Sequence, residues 1–233
     1  SKVFNFLKSN NLFFAEAMPY RFHPQTKVIT DIIKQGEIGE IKSVEIKFGF
    51  AVSRLLQFFS PKNRLFNSIG GGAILDTGCY CTSFALLMAK LVNNNSDLSM
   101  FKLTNVSGTI NRKKVEDLAS AKIIFKNGLE ANIETSFIKK MKNDVVINGT
   151  NGEIIIPNPW FPEKISNIEV HNKSTSYTKE IRSAHSSRAN IIKVVSDLIE
   201  KNLKEGLYPL MSWDDSINNM KIINQWKDIL NKT

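Results

Sequence analysis

The chain has 233 residues, 42% hydrophobic and 23% charged, a balance that fits one full domain, or a domain plus a fragment, and excludes a disordered chain. Its net charge of +9 is spread over scattered lysines among many Asn and Ile, so clusters such as Lys113-Lys114 and Lys139-Lys140-Met141-Lys142 read as solvated turns, with no nucleic-acid partner expected. With no run of about 18 apolar residues and no long apolar leader, a soluble cytoplasmic protein without membrane contact is expected; Cys79 and Cys81 read as reduced thiols, too few for a disulfide framework and without the companions of a metal set.

Val3, Phe4, Phe6 and Leu7 form the apolar side of a helix's last turns, stopped at Asn10-Asn11. Leu12 to Met18 reads as a short buried strand ended by Pro19. From Pro24, Val28, Ile29, Ile32 and Ile33 recur at helical spacing until Gly36 and Gly39, and 41–51 alternates as a half-buried strand. Residues 53–69 look like a long loop whose length argues for a functional role or for mobility. A helix is then expected from about Gly72 to Leu91.

The second half changes character. Apolar or alternating runs at 101–110, 119–125, 129–137, 144–147 and 153–156, with an edge hairpin at 168–170 and 176–178, are separated by turn signals such as Lys126-Asn127-Gly128. Consecutive strands with short connections predict an antiparallel meander. Two helices, about 185–202 and 212–232, close the chain, the second started by Ser212 with Asp214 and Asp215 in its first turn. The fold class is therefore α+β, a mainly antiparallel open sheet with helices on one face.

Chemistry concentrates in Gly70-Gly71-Gly72-Ala73-Ile74-Leu75-Asp76-Thr77-Gly78-Cys79-Tyr80. Asp76 and Tyr80 stand one helical turn apart and so share a helix face. The glycines let the backbone pass close to a cofactor, a substrate or a neighbouring strand. The run is not a phosphate loop, because neither G-x-G-x-x-G nor a Gly-Lys-Ser/Thr ending occurs in the chain.

Three ordered blocks carry a family resemblance: Glu16-Ala17-Met18-Pro19-Tyr20-Arg21-Phe22-His23-Pro24, the glycine run through Tyr80, and Gly149-Thr150-Asn151-Gly152-Glu153-Ile154 leading to Pro159-Trp160. With Gly36-Glu37-Ile38-Gly39-Glu40-Ile41 they span most of the chain, which resembles the substrate-binding C-terminal part of the Gfo/Idh/MocA oxidoreductases (glucose-fructose oxidoreductase, inositol dehydrogenase and MocA). The first block is most similar to the dimeric dihydrodiol dehydrogenase branch.

The resemblance implies an NAD- or NADP-dependent enzyme acting on a sugar, cyclic polyol or diol, with Asp76 and Tyr80 as the active-site pair and Tyr80 as proton carrier. A phenol of ordinary pKa about 10 needs a neighbouring cation for that task. The family supplies it with a lysine in a Glu-Lys-Pro motif ahead of the present residue 1. By the same comparison, residues 1–18 correspond to the last helix and strand of a nucleotide-binding Rossmann domain that is otherwise missing, and 19–233 to the substrate-binding and oligomerisation domain. A chain that opens inside a helix on a residue other than Met reads as a fragment of a complete oxidoreductase; the alternative is a non-catalytic binding or assembly module that kept only the sheet domain.

Arg21 is expected to meet the cofactor or a substrate oxygen, or else to bridge the domain junction. Gly71 and Gly72 are expected at the cofactor. Trp160 offers an apolar wall to a ring-shaped substrate, or is a core residue, and Arg64 points at substrate from the long loop or is exposed. His23 is expected as a helix-start contact. A homodimer or higher homo-oligomer through the sheet face is expected, because Ile133 and Phe137 on one register and Ala131 and Thr135 on the other leave little charge mid-strand.

Overall fold

The structure, a computed structural model, describes residues 2–53, 64–67, 70–92 and 98–232. Strands β1 (Ile41–Gly49), β2 (Phe101–Ile110), β3 (Glu116–Phe125), β4 (Glu130–Ser136), β5 (Val145–Gly149), β6 (Gly152–Ile156), β7 (Ile165–Asn172) and β8 (Ser176–Arg182) form one open sheet ordered β2-β3-β4-β1-β5-β6-β7-β8. All neighbours are antiparallel except β1 and β4, which run parallel from Ser43 opposite Glu130 to Gly49 opposite Ser136.

The α+β open sheet expected from the sequence is thus present, but the meander is interrupted. β1, the first strand in the chain, is inserted between β4 and β5. An apolar alternation of period two specifies which face a residue takes, not which strand lies beside it.

The same period corrects the expected surface of β4. Ala131, Ile133, Thr135 and Phe137 are all odd-numbered, lie on one face and are buried. The other face is polar at its centre, where Asn132 donates to Glu45 (2.6 Å) and Lys122 pairs with Glu130 (2.9 Å). Half-buried Ile124, Val146 and Ile155 are interleaved with these charges.

Helices α1 (Lys2–Ser9), α2 (Pro24–Lys34), α3 (Cys79–Val92), α4 (Ser187–Glu200) and α5 (Trp213–Leu230) complete the fold. α2 starts as expected: the His23 ring accepts from the Gln25 N–H through Nδ1 (3.1 Å), which leaves Nε2 to donate to the Glu163 carbonyl (3.1 Å). α3 is buried continuously from Cys81 to Ala89 because it lies between β1 and β4 on one side and α5 on the other. With the turn before it, the helical stretch Ile74–Val92 is long and apolar enough to cross a bilayer by length and composition. Its apolarity is accounted for by the core it fills.

α5 ties α3 down at both ends. Asn219 donates to the Cys79 carbonyl (3.3 Å) and accepts from Thr82 (2.6 Å), while Asp215 pairs with Lys90 at 2.6 Å. Asp215 also closes a capping box with Ser212, the N-cap expected from the sequence.

Residues 12–18 form neither a helix nor a strand. Among the described residues no strand pairs with them, their backbone meeting isolated partners such as the Lys204 carbonyl, 3.0 Å from the Phe14 N–H, and the Trp213 indole N–H, 3.1 Å from the Phe14 carbonyl. An apolar run becomes a strand only beside another. Most of the loop 53–69 lies outside the described residues.

Candidate active site

The helix expected from Gly72 is not uniform. Ile74–Gly78 forms a π turn, with hydrogen bonds one residue longer than in an α-helix, and α3 follows directly. Asp76 lies within that turn and Tyr80 just beyond it. Both line one cavity of about 550 Å³, together with Glu16, Met18, Phe48, Phe50 and Phe161.

Four rings surround Tyr80, Tyr20 being the most distant at 6.5 Å. Phe48 meets Tyr80 edge-on at 5.4 Å between centroids, and Phe161 and Trp160 stand at 5.9 and 6.1 Å. Phe161 is 53% exposed and forms the open part of the apolar wall. Trp160 takes the core alternative: it is 2% exposed, donates its indole N–H to the Lys47 carbonyl (2.9 Å) and stacks on Phe48 at 5.3 Å. It therefore supports Phe48 and Tyr80 from behind, and its neighbour supplies the wall.

Arg21 is likewise held inside the protein. Its Nε donates to the Tyr20 and Ser83 hydroxyls (3.0 and 3.1 Å), and its terminal nitrogens reach the Pro209 carbonyl (2.7 Å) and the Ser83 carbonyl. At 2% exposure it lies outside the cavity lining, joining the segment after Pro19 to α3 and the C-terminal part. Its contact with the site is indirect, through Tyr20, whose ring packs against Tyr80 at 6.5 Å.

The glycine run packs against a carboxylate. Gly72 has φ +99°, and a Cβ there would stand 1.9 Å from Oε2 of Glu116, itself 3% exposed and paired with Lys227 at 3.2 Å. Gly71 is buried, its N–H bonded to the Asn67 carbonyl (2.8 Å). A carboxylate against the glycines disfavours a phosphate there. Of Arg64 the backbone lies in the 3₁₀ turn Arg64–Phe66, and its side chain falls outside the described residues.

Glu16, like Phe48, Phe50 and Phe161, lines the cavity without having been expected there from the sequence, although it opens the first family-like block. Its influence is visible at Cys79: burial first, then the Asp76 and Glu16 carboxylates, push that thiol up to about 12. Cys79 and Cys81 are both free, and burial raises the pKa of each thiol, which favours the protonated form. Among the described residues no group of His, Cys, Asp and Glu suits a metal ion.

Residues 26–155 match the GFO/IDH/MocA C-terminal domain. Among named relatives, the chain is 27% identical over 158 residues to a trans-1,2-dihydrobenzene-1,2-diol dehydrogenase of Mus musculus, covering 68% of this chain and 44% of the relative. It is 26% identical over 213 residues to the protein of that name in Xenopus tropicalis, covering 88% and 59%. The fold superposes on a 3-ketoreductase from Actinomadura kijaniata, crystallised with NADP and TDP-benzene, with a TM-score of 0.79 at 17% identity over 96% of this chain and 64% of that one. The chain therefore spans about half the length of these dehydrogenases.

Proposed function

The chain belongs to the GFO/IDH/MocA family through its C-terminal domain, and from that premise we propose that it is the substrate-binding and catalytic half of an NAD(P)-dependent oxidoreductase acting on a sugar, cyclic polyol or diol. The observation that carries this is the meeting of Asp76 and Tyr80 in one aromatic-walled cavity. In this proposal 1–18 is the end of a nucleotide-binding unit and 19–233 the substrate domain, assembled as a homo-oligomer through the open sheet face. Free thiols at Cys79 and Cys81 suit a reducing, cytoplasmic setting.

Phe48, Phe161 and Tyr80 present aromatic surface suited to the flat nicotinamide ring and to the apolar face of a cyclic substrate. The cavity's described lining holds no Lys or Arg, so the cofactor's phosphates would be held elsewhere. When bound, the nicotinamide supplies or accepts the hydride.

The Tyr80 hydroxyl gives up or takes the proton of the reacting hydroxyl, and Asp76 accepts a hydrogen bond from a neighbouring hydroxyl or orients Tyr80. Phe48, Phe50 and Phe161 displace water and hold the ring against that pair. In the protein expressed from its complete reading frame, Tyr80→Phe should lower turnover by about 10²–10⁴-fold while leaving cofactor affinity nearly unchanged. Wild-type turnover in that variant would remove Tyr80 from the chemistry.

A further inference from the structure

We propose that Thr135, on β4, is a positioning residue whose hydroxyl holds the Ile74–Gly78 π turn and so sets where Asp76 stands relative to Tyr80. This rests on Asp76 and Tyr80 being the reacting pair.

The key atom is the carbonyl oxygen of Ala73, at the head of the turn. In a regular α-helix it would accept from the N–H of Thr77, four residues on; in a π turn that bond moves to the fifth residue. Here Ala73 O also lies 3.0 Å from the Thr77 hydroxyl and 3.2 Å from the Thr135 hydroxyl, and the two hydroxyls bond to each other. Each carries one hydrogen, so one donates to Ala73 O while the other donates to its partner.

All three residues are at most 1% exposed, so no bulk water replaces a lost hydroxyl. The end of the turn packs against two of the same residues. A Cβ on Gly78 would lie 3.1 Å from the Trp226 ring, 3.4 Å from Ala73 O and 3.5 Å from the Thr135 methyl carbon.

The sheet register joins this clamp to the cavity. Thr135 lies directly opposite Phe48 on β1, and Phe48 is the ring edge-on to Tyr80. One rung of the sheet thus supports both the aromatic wall and the turn that carries Asp76. Because Asp76 is inside the π turn and Tyr80 after it, a change from π to α bonding rotates one relative to the other.

Thr135→Val removes the hydroxyl and keeps the shape, whereas Thr135→Ser keeps the hydroxyl. The crystal structure of the valine variant should show Ile74–Gly78 in α-helical bonding with Asp76 displaced. Its kcat should fall by about 10- to 100-fold with the cofactor KM unchanged, and the serine variant should stay within about threefold of wild type. A valine variant that keeps the π turn, or a serine variant that loses as much as valine, overturns the proposal. If the valine variant does not fold, Thr135→Ala against Thr135→Ser decides by the same two measurements. Tyr80→Phe, assayed alongside, tests the reacting pair separately; the bonding of the turn is read from coordinates and not from turnover.

Discussion

Arg21 carries a full charge into a site 2% exposed, which is stable only because the surrounding oxygens are already arranged to receive it. Its sequence neighbourhood does not distinguish that role from one at a ligand, since both need a guanidinium near the crossover to the sheet. Trp160 and Phe161 make the same point in reverse: two adjacent aromatics between prolines, one sealed beneath the site and the other exposed in it. His23 yields a pH prediction. Burial holds its pKa below the ordinary 6.5, so its contribution to stability is complete above about pH 6.5 and is lost as pH falls through the lower folded value. His23→Asn keeps an N-cap acceptor without a titrating ring. Urea midpoints between pH 5 and 7.5 should therefore fall more steeply with acid in wild type than in the variant, and parallel profiles would exclude His23 as the cause.

Among the elements, β4, α5 and the glycine run all pack around or lead into the π turn. Gly70 and Gly72 both have positive φ, +93° and +99°, but only Gly72 faces a carboxylate, whereas a Cβ on Gly70 would meet nothing within 4 Å. Gly70→Ala should cost only the backbone penalty, about 1 kcal/mol, while Gly72→Ala adds the displacement of a buried Glu116–Lys227 pair, about 1–3 kcal/mol more. Thermal unfolding of the two variants measures the difference, and equal losses would show that Glu116 yields freely. The helix after Gly72 was legible from its apolar spacing; the π bonding was not. It depends on Thr135, fifty-eight residues from Thr77.

At the scale of the molecule, the open face of the sheet mixes paired charges with half-buried Ile124, Val146 and Ile155, which suits a mixed contact between copies and not the face with little mid-strand charge expected from β4. Light scattering after size exclusion should give a dimer or larger, and a clean monomer at high concentration would count against assembly through this face. Most strands, α2, α3 and the capped α5 could be read from the sequence because alternation, helical spacing and cap residues are local consequences of backbone geometry. That Asp76 and Tyr80 line one cavity follows in part from their closeness along the chain. What the sequence by itself determined was thus the kinds of element and the residue pair they would carry. The tertiary structure alone decided that β1 enters mid-sheet, that 12–18 joins none of the described strands, that Glu116 fills the space beside Gly72, and that Arg21 and Trp160 lie behind the cavity while Glu16 and Phe161 line it. Each of these depends on which distant segment arrives alongside, and no periodicity within a segment encodes its neighbour.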